Sequence, residues 1–352
     1  MRAADSGASA APEAAGGRIP VREFLPATWL PGAHLQTLWG RAARPRRMVG
    51  LRRESWSTPD ADEVLLDHVD GGEGAPRLLV FHGLEGSSYS VYVQGILALA
   101  SARGWRATAV NFRSCARDPR DLDRMLPNRA PRLYHSGDTG DIDGIVRGLR
   151  AREPAAPLVA VGVSLGGNAL LKWLGETAGE RLLDAVAALS VPYDLAAGSR
   201  HMERGMGRVY QESFLRSLRR KAQDVASRFP QAREKIDVEG VRRSRTFWEF
   251  DDAATAPLHG FAGVEDYYER SSSLAYLSRI DTPVLAVSAE DDPFLPASVL
   301  PLARRAASAS VELIVTRRGG HIGFVAGSPF APRYWAEEAA VDWLARRIGD
   351  AS

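Results

Sequence analysis

The feature that most restricts how this chain can fold is a rhythm of short apolar runs. Six of them, "RLLVFHG" (77–83), "WRATAVNF" (105–112), "PLVAVGV" (157–163), "DAVAALSV" (184–191), "PVLAVSAE" (283–290) and "VELIVT" (311–316), are rich in Val, Leu and Ala and bounded by polar residues, Gly or Pro. Runs of this kind suit strands buried on both faces. Stretches with helical spacing lie between most of them, over 88–103, 139–151, 165–178, 297–308 and 333–347. Strand alternating with helix predicts a mostly parallel sheet flanked by helices on both sides. Two weaker runs, "LRRESWST" (51–58) and "EVLLDHVD" (63–70), alternate in polarity and predict an antiparallel pair at the sheet edge. The rhythm breaks between about 195 and 278, where "SFLRSLRRKAQDVASRF" is helical in tone and no strand pattern occurs. That segment reads as a helical cap inserted over one end of the sheet. The expected division is a disordered leader over 1–20, a first core part over 21–194, the insertion over 195–278 and a second core part over 279–352.

Composition sets outer bounds. The 352 residues are 45% hydrophobic, enough for a large α/β core. A formal net charge of +2 gives no global pull toward nucleic acid. One cysteine, Cys115, cannot form an internal disulfide or a cysteine-based zinc site, and it fits a reducing compartment. The opening "MRAADSGASAAPEAAGG" lacks the apolar core of a secretory signal, and no run reaches the length of a membrane span. A cytoplasmic location is the expectation.

The third strong run ends in Gly162-Val163-Ser164-Leu165-Gly166, and a helical stretch follows. G-x-S-x-G between strand and helix is the pattern of a serine nucleophile on a tight turn. Gly162 and Gly166 flank the serine because side chains there would strike the neighbouring strand and helix. The helix that follows aims its free N–H groups and dipole at the reacting centre. A dinucleotide fingerprint fails because Ser164 stands where its second glycine belongs, and the G-K-[ST] of a phosphate loop is absent. Ser164 as a simple helix N-cap remains the alternative at this point.

A serine hydroxyl needs a base and an orienting acid. "SAEDDPFLP" follows the run 283–290 and offers Asp291 and Asp292; "RRGGHIGF" follows the run 311–316 and offers His321. All stand after the carboxyl ends of expected strands, where parallel sheets build their sites. Asp292 is preferred over Asp291 because Pro296 stands four residues after it, a placement common in the acid loops of such sheets, while Asp291 can instead cap a turn. The backbone N–H groups of Leu165 and of Leu84, in the His82-Gly83-Leu84-Glu85-Gly86 loop, are the expected oxyanion donors.

Together with these motifs, "HLQTLWG" (34–40), "VFHGLEGSSYS" (80–90), "NFRSC" (111–115), "YHSGDTGD" (134–141), "GVSLGGNALLKWLGE" (162–176), "VPYDL" (191–195), "FDDAATAPLHGF" (250–261), "DYY" (266–268), "EDDPFLP" (290–296) and "GGHIGF" (319–324) resemble the YheT-type branch of the α/β-hydrolases, the AB hydrolase 4 family. The resemblance spans roughly residues 24–348. It implies the α/β-hydrolase fold and a Ser164–Asp292–His321 triad. The implied activity is that of a carboxylesterase, with medium-chain lipid esters among the substrates of eukaryotic relatives. Where the family usually reads "FRGC", this chain has Ser114.

Other residues carry weaker expectations. His82 reads as a loop-holding residue, and Arg113 and His135 as residues able to reach the site from strand-end loops. Asp138 and Asp141 read as helix-start acids and Cys115 as a small core or loop residue. Arg216, Arg219, Arg220 and Lys221 read as the solvated face of an amphipathic helix, with docking on anionic lipid as the sharper alternative. Met202, Met206 and Tyr210 read as one core face or an acyl pocket. No metal-binding spacing occurs and no cofactor is implied. The expected substrate is a small ester or lipid, with no nucleic-acid partner, and the sequence admits peripheral membrane contact. Transfer of the acyl group to an alcohol and a non-catalytic binding role are the rival functions.

Overall fold

A computed structural model describes residues 19–44 and 48–350. Its centre is an eight-stranded sheet. Counting only the strands of that sheet, these are β1 Arg52–Ser57, β2 Glu63–Val69, β3 Arg77–Phe81, β4 Arg106–Asn111, β5 Leu158–Val163, β6 Ala185–Leu189, β7 Val284–Ala289 and β8 Val311–Thr316. They lie in the order β1-β2-β4-β3-β5-β6-β7-β8. β1 and β2 are antiparallel (Arg52 opposite His68), and β2 meets β4 antiparallel; every other pairing is parallel. Each expected strand is present, and the weak pair sits at the edge as its alternation requires.

β3, β5, β6 and β7 are buried along their whole length. That is why their sequence shows continuous apolar runs and no alternation. One face packs on the helices Gly140–Arg152, Leu165–Glu176 and Leu300–Ala306, with Ile145, Leu170, Trp173 and Ala303 in the shared core. The other face packs on Val91–Ala102 and Trp335–Arg347 through Ile96, Leu97, Ala340 and Trp343.

From β3 the chain steps outward to β4, then returns to place β5 on the other side of β3. The crevice beyond the carboxyl ends of β3 and β5 is therefore the topological switch point, where open α/β sheets bind ligands. Between β6 and β7 the chain is helical from Leu195 to Arg279, with no strand. This segment has a core of its own, including Leu215, Val225, Ile236, Val241 and Phe250, joined by Leu133.

Some features were not expected. The leader lies, up to residue 18, outside the described residues, while the Pro20 carbonyl accepts a hydrogen bond from Arg346 Nη1 at 2.8 Å. A helix over Ala33–Ala42 and two short hairpins, Arg117–Asp118 with Asp121–Met125 and Val325–Ser328 with Ala331–Tyr334, also appear. Met206 is not on a face shared with Met202 and Tyr210. The helix Leu195–Met202 stops, Gly205 turns at φ 50°, and a new helix starts at Gly207, which leaves Met206 in the turn and exposed.

Candidate active site

β5 delivers Ser164 at φ 52° and ψ −120°, a left-handed conformation costly for a residue with a side chain. The turn that holds it leaves no room on either side. A Cβ on Gly162 would lie 2.7 Å from the Gly167 Cα, and one on Gly166 would lie 2.4 Å from the Phe81 carbonyl oxygen. The glycines are thus required by close approach.

The Ser164 hydroxyl donates to His321 Nε2 at 3.0 Å, and His321 Nδ1–H donates to Asp292 Oδ2 at 2.8 Å. Asp292 and His321 are buried, and Ser164 is half-buried at the floor of the cavity. The other Asp292 oxygen accepts the Phe294 N–H at 2.8 Å, so both carboxylate oxygens are committed. Phe294 then stacks on the His321 ring, with centroids 4.3 Å apart. Asp291 points elsewhere. Its Oδ1 accepts the Gly320 N–H at 2.9 Å and shapes the histidine loop, and burial raises its carboxyl above the usual range.

The histidine loop is clamped from outside by residues that no catalytic pattern marks. Thr37 Oγ1, on the helix Ala33–Ala42, accepts the His321 N–H at 2.9 Å. Gln36 Oε1 accepts the Val325 N–H at 2.7 Å, and Ser190 Oγ accepts the Ile322 N–H at 3.0 Å. Gln36 and Thr37 fall within "HLQTLWG", a stretch the sequence singled out without a role.

The loop after β3 borders Ser164: a Cβ on Gly83 would come within 3.2 Å of the Ser164 Cβ. His82 is buried, and burial pushes its pKa down to about 4, so the ring is neutral. Its Nε2 accepts the Phe112 N–H at 3.1 Å, which leaves the proton on Nδ1 to be donated to the Gly83 carbonyl at 2.7 Å. The Gly86 N–H reaches the same carbonyl at 3.0 Å. A trans peptide sets its C=O and N–H on opposite sides, so anchoring the Gly83 oxygen aims the Leu84 N–H the other way. The Gly83, Glu85 and Gly86 N–H groups are engaged by Tyr92, Tyr134 and Gly83. Leu165, first residue of its helix, offers an N–H with no intrahelical acceptor.

Arg113 does not reach this crevice. Three carboxylates capture it, exposed Asp60 at 2.7 Å, buried Asp62 at 2.8 Å and half-buried Asp141 at 2.7 Å, and Arg113 itself is buried. Asp141 is therefore an ion-pair partner as well as a helix-start acid. Asp138 pairs with Arg132 at 2.7 Å. Ser114, at φ 58°, takes a backbone conformation that favours glycine, and its hydroxyl bonds Asn128. His135 lines the cavity among the rings of His259, Phe261 and Tyr267, and burial pushes its pKa down to about 3. Lys221 is not on a solvated face: it is 6% exposed and turned inward, whereas Arg216 and Arg220 are exposed and Arg219 half-buried. Cys115 is buried, and burial pushes its thiol up to about 11.

Above Ser164 and His321 lies a cavity of about 660 Å³, walled by Leu195, Met202, Tyr210, Phe214, Phe250 and Phe294 from the helical segment and the acid loop. A serine, histidine and aspartate chain on the carboxyl edge of such a sheet matches the constellation of one large family. The chain belongs to the α/β-hydrolases. The family model for the alpha/beta hydrolase fold matches residues 76–328. YheT of Escherichia coli (strain K12) is 37% identical over 325 residues, 92% of this chain and 93% of that one, which places this chain in the YheT-type branch. Phospholipase ABHD3 of Mus musculus is 29% identical, covering 88% of this chain and 75% of that one. Among solved structures, the esterase Pf2001 of Pyrococcus furiosus superposes with a TM-score of 0.52 at 15% identity, covering 86% of this α/β-hydrolase and 99% of that chain. That last likeness concerns the fold alone. Among the described residues no helix is long and apolar enough to cross a membrane.

Proposed function

We propose that this chain is a serine hydrolase of carboxylic esters, acting on short- to medium-chain acyl or lipid esters through an acyl-enzyme. The observation that carries the reading is the unbroken hydrogen-bond chain from Ser164 through His321 to Asp292 at the base of a cavity with aromatic and aliphatic side chains in its walls. In it, Ser164 Oγ attacks the ester carbonyl while His321 Nε2 takes its proton. Asp292 holds His321 in the tautomer whose Nε2 is free to accept and stabilises the imidazolium that forms. The N–H groups of Leu84 and Leu165 hold the oxyanion. His321 then protonates the departing alcohol, and water activated by the same ring releases the acid.

The helices from Leu195 to Arg279 act as a cap that sizes the acyl site. A cavity of about 660 Å³ lies within the usual range for small-molecule sites, and its aromatic and aliphatic walls suit an alkyl chain. ABHD3 is named a phospholipase and human ABHD2 a monoacylglycerol lipase, and these names support an ester of a lipid as the class of substrate.

The test is turnover of p-nitrophenyl esters from acetyl to palmitoyl, wild type beside Ser164→Ala. The expected result is an optimum at short to medium chains, and loss of turnover in the variant with the fold intact by circular dichroism. Retained turnover in folded Ser164→Ala would refute the reading.

A further inference from the structure

Glu85 directly follows the proposed oxyanion donor Leu84, and nothing in the hydrolytic chemistry uses it. Its backbone stands at φ 57°, where glycine would be at ease and a side chain costs free energy. The side chain that occupies this position is turned inward. Glu85 Oε1 accepts from Lys221 Nζ at 2.7 Å and from the Tyr134 hydroxyl at 2.8 Å, and Oε2 accepts from the Ser217 hydroxyl. The Tyr134 oxygen in turn accepts the Glu85 N–H at 2.8 Å, so tyrosine and glutamate bind each other twice. Lys221 gives a further hydrogen bond to Cys115 Sγ at 3.2 Å.

Ser217 and Lys221 lie one turn apart on the helix Gly207–Arg228, hence on one face. That face looks onto the loop after β3, and all four residues, Glu85, Tyr134, Ser217 and Lys221, line the cavity. A lysine is rarely so buried unless paired. Burial raises the Glu85 carboxyl, but the Lys221 charge and the surrounding donors outweigh it and hold the carboxyl below its usual range. A buried ion pair is a poor source of net stability, because desolvation offsets its attraction. What it fixes well is position.

Two anchors then bracket the Leu84 N–H. On one side His82 and the Gly86 N–H hold the Gly83 oxygen. On the other side Glu85 is held through its N–H by Tyr134 and through its side chain by the helix. The first anchor belongs to the loop after β3; the second is shared between Tyr134, in the loop before the helix Gly140–Arg152, and Ser217 and Lys221 of the helical segment.

We propose that Lys221 is a positioning residue: by gripping Glu85 from the helix Gly207–Arg228, it holds the Leu84 N–H where the oxyanion forms, so the competent loop exists only with that helix docked. The proposal rests on the serine-hydrolase reading. It makes the helical segment part of the transition-state machinery as well as a wall of the substrate site.

The experiment compares wild type with Lys221→Met and Glu85→Ala, which removes the acceptor altogether, with exposed Arg216→Ala as a control on the same helix. Each is assayed on a p-nitrophenyl ester and titrated with an alkyl trifluoromethyl ketone, which becomes an oxyanion on attack by the serine. Removing an oxyanion donor outright costs about 100–1,000-fold in kcat, so displacing one is expected to cost roughly 10–100-fold. The expected pattern is that loss in kcat with KM within about threefold, and a ketone affinity weakened by the same factor. Arg216→Ala should match wild type in both. Full kcat in folded Glu85→Ala or in folded Lys221→Met would overturn the proposal, as would lost kcat with unchanged ketone affinity. Those results with turnover still dependent on Ser164 would sink this proposal alone. Turnover surviving in Ser164→Ala would sink the hydrolase reading and this one with it.

Discussion

Replacing Asp292 with asparagine tests the reading at its most exposed point. In the wild type both carboxylate oxygens accept, one from the Phe294 N–H at 2.8 Å and the other from His321 Nδ1–H at 2.8 Å. An amide has only one acceptor oxygen. If it stays on the Phe294 N–H, the new NH2 group faces Nδ1, and the ring must move its proton to Nε2. Ser164 then has no base. If the amide turns round, its NH2 group faces the Phe294 N–H, leaving that donor unpaired at a cost of about 1–3 kcal/mol. Either arrangement is poor for catalysis, and the first is the better satisfied. A wrong-tautomer histidine in a serine protease lowers kcat by about 10,000-fold, and a similar factor, about 5–6 kcal/mol in the barrier, is expected here. The side chains are nearly isosteric and the cavity is untouched, so KM should stay within about threefold. Steady-state turnover of a p-nitrophenyl ester, with active sites counted independently, measures both. Asp291→Asn is the internal comparison: its amide oxygen can still accept the Gly320 N–H, and kcat should fall less than about tenfold. If Asp292→Asn keeps more than about a tenth of wild-type kcat, or Asp291→Asn proves the more damaging, the assignment of the acid is wrong.

Two further perturbations probe the scaffold. Arg113→Met leaves three carboxylates around an apolar side chain, Asp62 buried and Asp141 half-buried, and should lower unfolding free energy by about 3–5 kcal/mol, read as a shift in urea midpoint; a loss below about 1 kcal/mol would contradict the ion-pair cluster. Asp251 lines the cavity with Tyr268 and Thr255 donating to it, and burial raises its pKa from 3.8 to about 6. Its folded form thus holds a proton more tightly than the unfolded chain does. Stability from this group is full below about pH 4 and is lost as pH rises to about 6, at most about 3 kcal/mol. Asp251→Asn should therefore flatten the stability profile between those values and gain on wild type at pH 8, and an unchanged slope would count against it.

The sheet was readable because strands buried on both faces cannot hide their composition, and the hydrogen-bonded chain of Ser164, His321 and Asp292 because its members stand at strand ends in the order usual for this fold. The residues that escaped did so for a common reason: their partners are distant in sequence. Arg113 reads as a loop residue near the crevice, but Asp60 and Asp62, more than a strand away, draw it off. Thr37 carries no catalytic signature at all until His321 is seen beside it. Lys221 was masked by the arginines around it, though a signal was present. Phe214, Leu218, Lys221 and Val225 follow one another at intervals of four, three and four, which puts the lysine on the inward stripe of the helix. A charge on an apolar stripe implies a buried partner, but only the fold could name Glu85.

The clamp on the histidine loop also bears on how the molecule matures. Thr37 and His321 are 284 residues apart, and Gln36 and Val325 are 289. Contacts of such separation are slow to form, because a long chain must be closed before they hold anything. The helix Ala33–Ala42 precedes every strand of the sheet in the chain, and its anchorage is among the last contacts to appear. Helix content and compactness can therefore be complete in a chain whose base is still unseated. In a refolding experiment, the return of catalysis would mark the moment when the helix Ala33–Ala42 seats against the histidine loop.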